Sequence, residues 1–143
     1  MTQTGQHVTP EELDLVRQGY ELWNSGDFEG VAELCFADDI EWWNSPEWPG
    51  TRVYHGYDTV IEFLKDEVAS IIELGDIEIE GLDVYRDEVL IRMLARTRGA
   101  GSEVDIGKIP IFHVARIRDG RVARVRVYLT PGEAMAAVRE SGA

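Results

Sequence analysis

The second half of this chain constrains its fold most, because after Gly75 nearly every segment reads as a strand. Ile77 to Tyr85, Val89 to Arg98, Val104 to Arg118 and Arg121 to Thr130 are rich in branched residues, which suit a pleated, half-buried backbone. Asp119-Gly120 predicts a tight hairpin, since both positions tolerate positive φ. Pro110 removes a ladder donor from the third segment, so an edge position or a bulge is expected there. Gly99-Ala100-Gly101-Ser102 lacks the lysine and the following helix of a phosphate loop and reads as a hairpin connection. Four such strands in succession make an antiparallel meander.

The first half has helical period instead. Thr9-Pro10-Glu11-Glu12 supplies a cap, a proline where no amide donor is needed and a glutamate that closes a capping box. Leu13, Val16, Tyr20 and Trp23 then form one apolar face up to the break at Asn24-Ser25-Gly26. Asp27 caps a second helix expected to reach about Phe36 and to end at Asp38-Asp39. Ile40 to Asn44 reads as a short strand with Ile40, Trp42 and Asn44 on one face. Beyond a proline-bounded loop and a brief extended piece at Arg52 to Tyr54, the spacing of Val60, Ile61, Phe63, Leu64, Val68, Ile71 and Ile72 predicts a long third helix that stops near Gly75. Pro131-Gly132-Glu133 opens a last short helix through Val138.

Helices early and hairpins late define an α+β fold: a curved mixed or antiparallel sheet wrapped around three N-terminal helices, with the third helix against its concave face. Residues 9–143 form the single domain, and residues 1–8 are a polar tail expected to be disordered. Strand parity places Ile109, Ile111, His113, Ala115 and Ile117 on the inner face with Val125, Val127 and Leu129, and leaves Arg116, Arg118, Arg124 and Arg126 on the outer one. His113 is thus a titratable group on an apolar face. Its imidazole can accept and donate a proton near neutral pH, or simply be satisfied in a core.

The aromatic residues are concentrated early. Trp23, Trp42, Trp43 and Trp48 lie with Tyr20, Tyr54 and Tyr57 in the first 57 positions. Core filling is the plain interpretation. Four tryptophans around one loop exceed what a small helix needs, so Trp23 and Trp42 are expected to line a cavity for a flat hydrophobic molecule, with Trp48 as a lid. The net charge of -13, from 27 acidic and 14 basic side chains, argues against a nucleic-acid or anionic-membrane partner. Its first fifty residues hold 11 of the acids and a single base. One cysteine, Cys35, allows no internal disulfide, no cluster has metal-ligand spacing, and no leader or membrane span is apparent, so a cytoplasmic protein without metal or cofactor is expected.

Several segments resemble the NTF2-like superfamily, and within it the SnoaL-like, polyketide-cyclase-related group. They are Tyr20-Glu21-Leu22-Trp23-Asn24-Ser25-Gly26-Asp27-Phe28, Phe36-Ala37-Asp38-Asp39-Ile40-Glu41-Trp42, Tyr54-His55-Gly56-Tyr57-Asp58, and the run from Phe112 to Val122. The resemblance implies a cone-shaped fold enclosing an apolar pocket. It spans ketosteroid isomerase, scytalone dehydratase, limonene epoxide hydrolase and cyclases, together with transport and assembly factors that catalyse nothing, so fold alone decides little.

Carried over position by position, the resemblance places the isomerase's catalytic aspartate at Asn44, which cannot take a proton, its oxyanion-hole tyrosine at Gly19 beside Tyr20, and its second donor at His113. Isomerase chemistry of that kind lacks its base here. Cyclases of the group place an acid/base aspartate, and scytalone dehydratase a histidine, where this chain has His113. Two functions follow as expectations. One is a cofactor-independent isomerase, cyclase or dehydratase acting on a small cyclic or polyketide-like molecule, with His113 and Asn44 as catalytic residues and Tyr20, Trp23, Trp42, Trp48 and Tyr54 holding the ligand. The other is a non-catalytic binding protein for a small hydrophobic molecule. The resemblance also implies a homodimer through the sheet, for which the basic stripe of Arg116, Arg118, Arg121, Arg124 and Arg126 offers one side.

Overall fold

The computed structural model describes residues 8–46, 51–68, 72–98 and 105–142. Helix α1 (Pro10–Asn24) begins with the expected reciprocal cap: the Glu12 amide donates to Thr9 Oγ1 at 3.1 Å and the Thr9 amide to Glu12 Oε1 at 2.9 Å. Val8, expected within the polar tail, is tied down by its amide to the Arg86 carbonyl at 2.9 Å. Helix α2 (Phe28–Cys35) is capped by Asp27, whose Oδ1 accepts from the Gly30 amide at 2.8 Å. It stops one residue short of expectation, and strand β1 (Phe36–Trp43) starts at once. Asp38 and Asp39 end nothing: they are exposed within β1, in a bulge where five residues of β1 advance against two of the neighbouring strand.

Strand β2 (Val53–His55) leads into helix α3 (Tyr57–Phe63), continued by a π-helical turn at Leu64–Val68. The third helix is therefore shorter than expected. Strand β3 (Ile72–Tyr85) takes the residues assigned to its end, because Ile72-Glu73-Leu74 alternates as a strand as readily as it extends a helical spacing. Between Ile72 and Ile77 the register shifts, five residues of β3 advancing against two of β4. The meander then follows as expected: β4 (Glu88–Arg98), β5 (Asp105–Arg118) and β6 (Arg121–Tyr128), closed by helix α4 (Pro131–Gly142). Asp119 and Gly120 turn the β5–β6 hairpin with φ of 54° and 76°. Pro110 sits where β5 extends past Tyr128, the end of β6, so it is at a local edge, and the register with β4 runs through it unshifted. The Gly99 to Ser102 connection lies outside the described residues.

The six strands form one curved sheet in the order β2-β1-β6-β5-β4-β3, antiparallel except where β1 runs parallel to β6. In place of a long third helix, α1 lies across β3 and α3 packs on β1. The side chain of Asn24 completes the α1–β3 seam: Nδ2 donates to the Ile77 carbonyl at 2.9 Å, and Oδ1 accepts from the Ile77 amide at 3.2 Å. Gly19 lets α1 and α2 approach closely, since a Cβ there would stand 2.9 Å from Cys35 Sγ.

Parity divides the sheet as expected, but both faces are covered in part. Ile91, Met93, Ile111, Ala115 and Val125 belong to the inner core with Trp23, Phe28, Trp42 and Phe63. Leu90, Phe112 and Val114 point the other way, against Ala134 and Val138 of α4. Arg124 and Arg126, from the outer basic stripe, both donate to Oε2 of the buried Glu88, at 3.1 and 3.2 Å. The end of the stripe beside α4 is thus a partly buried ion cluster.

Candidate functional site

The inner core converges on His113, which is 4% exposed near the middle of β5. Its Nδ1 lies 2.7 Å from the Tyr20 hydroxyl. Helical spacing brings the partners in: Val16, Gly19 and Trp23 are the buried face of α1, and Tyr20 stands at its rim. Trp42, on β1, meets the imidazole edge-on at a ring separation of 5.3 Å, and Trp23 lies 6.2 Å from it. The two indoles stack on each other, 6.2 Å apart and inclined by 21°. Phe63 extends the cluster from Trp42, and Tyr54 stacks on Phe63 at 4.6 Å. Tyr20, Trp23, Trp42, Tyr54 and His113 are therefore brought together, while Trp48 lies outside the described residues.

Asn44 is buried at the end of β1, and both ends of its amide are in use. Oδ1 accepts the Trp42 indole N–H at 3.1 Å, and Nδ2 donates to the Thr51 carbonyl at 3.0 Å. Its backbone exchanges further bonds with Arg52: the amide donates to the Arg52 carbonyl at 2.7 Å, and Arg52 Nε donates to the Asn44 carbonyl at 2.8 Å. In this arrangement Asn44 fixes the indole of Trp42 and anchors the chain that leads into β2.

Burial governs the electrostatics. It drives the His113 imidazole down to about 3, so the ring is neutral at physiological pH. It also raises the Tyr20 phenol above its ordinary value, with Cys35 adding to the effect. Cys35 itself is pushed up to about 11 by burial, against a smaller opposing influence of Arg121. A neutral phenol facing a neutral imidazole is a hydrogen-bonding pair with no net charge. In one tautomer the hydroxyl donates to Nδ1 and Nε2 carries the ring proton; in the other Nδ1 donates and Nε2 is the lone-pair site.

The aromatic side chains fill most of the interior. A small cavity of about 40 Å³ remains between α1, α2 and the sheet, walled by Tyr20, Trp23, Cys35, Phe36, Trp42 and Ala115 among others; His113 does not line it. Outside it, a groove of about 340 Å³ runs between α1 and β3, lined by Arg17, Tyr20, Glu21, Asn24 and Glu80. Tyr20 is common to both and separates them. Among the described residues no group of three or more His, Cys, Asp or Glu side chains could hold a metal ion, and no helix is long and apolar enough to cross a membrane.

Sequence reasoning identified the aromatic residues and His113 but not the bond between His113 and Tyr20, which spans 93 positions. It also passed over Cys35 and Phe36 as cavity walls and Phe63 as the link to Tyr54. Phe63 had a usable signal, its helical spacing from Val60 on the buried face of α3.

The profile of the SnoaL-like domain family matches residues 16–125. An NTF2-like protein of unknown function from Burkholderia pseudomallei K96243 superposes with a TM-score of 0.71 at 18% identity, covering 91% of this chain and 98% of its own. A putative SnoaL-like polyketide cyclase from Jannaschia sp. CCS1 gives 0.72 at 14% identity, covering 96% and 97%. TerC, co-crystallised with polyporic acid, gives 0.68 at 14% identity, covering 90% and 98%. No match was found among curated proteins. At these identities the structural likeness establishes the fold.

Proposed function

The chain belongs to the SnoaL-like domain family of the NTF2-like fold, and on that premise we propose that it binds a small, largely apolar molecule in its aromatic interior, with the Tyr20–His113 pair as the polar pole of the site. The observation that carries this is the 2.7 Å hydrogen bond from Tyr20, a wall of the apolar cavity, to His113 behind it. Ligand sites of this kind combine apolar walls with a few fixed polar atoms. Trp23 and Trp42 supply flat walls, Asn44 locks Trp42 in place, and Tyr54 supports the cluster through Phe63. TerC, crystallised with polyporic acid, is a precedent within the fold for such a ligand.

Binding without catalysis is the reading the geometry favours. A general base works best with a pKa near the operating pH, whereas that of His113 lies at about 3. No carboxylate among the described residues contacts the ring to stabilise an imidazolium. The proton-transfer reading, with His113 as acid/base and Asn44 as a catalytic partner, draws support from the same hydrogen bond: as the hydroxyl proton moves to Nδ1, Nε2 would release its proton to the ligand and the phenol oxygen would take one from the ligand, leaving both groups neutral. Screening neutral cyclic ketones, alcohols and phenols by NMR, observing the tryptophan indole N–H signals, tests the site. Binding predicts hits that perturb the Trp23 and Trp42 signals together and weaken in His113→Gln. Hits confined to other surfaces would exclude it, and turnover of a hit, lost in His113→Gln, would establish the catalytic reading instead.

The protein is further proposed to pair as a homodimer through the outer face of the sheet, where Trp43 on β1 lies beyond the inner core. Sedimentation at about twice 16.1 kDa supports this pairing, and a monomer at every concentration rejects it. The buried, lone Cys35 fits a cytoplasmic location.

A further inference from the structure

Trp23 holds a polar atom that the packing does not account for. The side chain is 3% exposed, yet its Nε1–H has no hydrogen-bond partner among the described residues. The contrast with Trp42, an equally buried indole bonded to Asn44, is direct. A buried donor left unpaired costs on the order of 1–3 kcal/mol, and most such groups in folded proteins are satisfied. A phenylalanine would fill much of the same space without that cost. Trp23 is also a wall of the interior cavity, together with Tyr20, and the rest of the wall is mostly apolar, from Val16, Val31, Phe36, Ile91 and Val125.

We propose that the Trp23 indole N–H is a specificity contact, receiving the acceptor oxygen of an uncharged ligand such as a cyclic ketone in the cavity behind Tyr20. The inference rests on the binding reading given above and adds the atom that selects the ligand's chemistry. An uncharged acceptor is required because no cation lines the cavity wall and the low-dielectric surroundings penalise a charge. At about 40 Å³ the cavity has room for roughly three water molecules. The Trp23 N–H has no accessible surface of its own in this arrangement, so an acceptor reaches it, and a larger ring enters, when Tyr20 swings away from His113. That movement joins the cavity to the 340 Å³ groove between α1 and β3, because Tyr20 is the wall they share.

The test compares cyclohexanone with methylenecyclohexane, a hydrocarbon of the same shape that lacks the oxygen, by titration into protein carrying ¹⁵N-labelled tryptophan. The expected result is that cyclohexanone binds about tenfold more tightly and moves the Trp23 indole proton downfield. In Trp23→Phe the preference should fall to about twofold or less while the hydrocarbon still binds. The comparison of the two probes in the unsubstituted protein stands whether or not that variant folds. Equal affinity of both probes, or saturation with the Trp23 signal unmoved, overturns the role of the indole and leaves the binding site intact. If neither probe binds, the binding reading fails and the specificity contact fails with it.

Discussion

The hydroxyl of Tyr20 and Nδ1 of His113 lie 2.7 Å apart, joining the first helix to the middle of β5 across 93 positions of sequence. The bond secures the helix to the sheet at Tyr20, a wall of both the interior cavity and the outer groove. Tyr20→Phe removes the hydroxyl and leaves a buried imidazole nitrogen unpaired. The variant should unfold at lower denaturant concentration, by about 1–3 kcal/mol with unchanged m-value; an unchanged midpoint would mean that the bond contributes nothing.

The depressed His113 pKa makes stability depend on pH in a defined window. The unfolded chain binds the proton below 6.5, whereas the folded chain resists it down to about 3. The unfolded state therefore carries more protons between those values, and stability must fall as pH falls through them, by up to about 1.4 kcal/mol per unit for this one group. Between 6.5 and about 5 most carboxylates have yet to titrate. Urea unfolding in that interval should show the slope, and His113→Gln should flatten it. An equal slope in the variant would place the titration elsewhere.

Asn44 offers a test by charge. In Asn44→Asp one carboxylate oxygen still accepts from the Trp42 indole, while the other meets the Thr51 carbonyl that the amide had donated to. The variant should be less stable by about 1–3 kcal/mol near neutral pH, and the deficit should shrink in acid as the carboxyl gains a proton to donate. Thermal unfolding across pH decides it: a deficit that does not vary with pH would contradict this arrangement of the amide.

Gly19 and Cys35 should be coupled. Alanine is a better helix former than glycine by about 1 kcal/mol, but at position 19 its Cβ would press on Cys35 Sγ. Gly19→Ala is expected to destabilise the natural protein and to stabilise Cys35→Ala. A double-mutant cycle should return at least about 0.5 kcal/mol of coupling, and additivity would show that the helices relax freely.

Local signals carried much of the fold into the sequence. The Thr9–Glu12 cap, the Asp27 cap, the Asp119-Gly120 turn and the alternation along β5 and β6 act over a few residues, and each is found as expected. The third helix was misjudged because Val68, Ile71 and Ile72 satisfy a helical spacing at the place where an edge strand begins; pairing with β4, a tertiary effect, decided the outcome. Glu88 shows the same limit. Nothing near it in sequence marks a carboxylate to be buried, and only the alignment of β4 with β5 and β6 brings Arg124 and Arg126 to it. At the site, parity placed His113 inward, but whether the tryptophans leave a wide pocket or nearly fill it depends on how tightly α1 closes on the sheet. That closeness is set by Gly19 and Asn24, whose roles appear only in three dimensions.

A neutral His113, paired with Tyr20, is proposed as the polar pole of a small-molecule site. The ¹⁵N chemical shifts of the His113 ring near neutral pH, recorded before and during a cyclohexanone titration, test it most directly. The ring should show the two well-separated nitrogen shifts of a neutral imidazole, with Nδ1 or Nε2 moving saturably as the ketone binds. Two nearly equal shifts, marking an imidazolium, or ring shifts that stay fixed while the ketone saturates the protein, would contradict it.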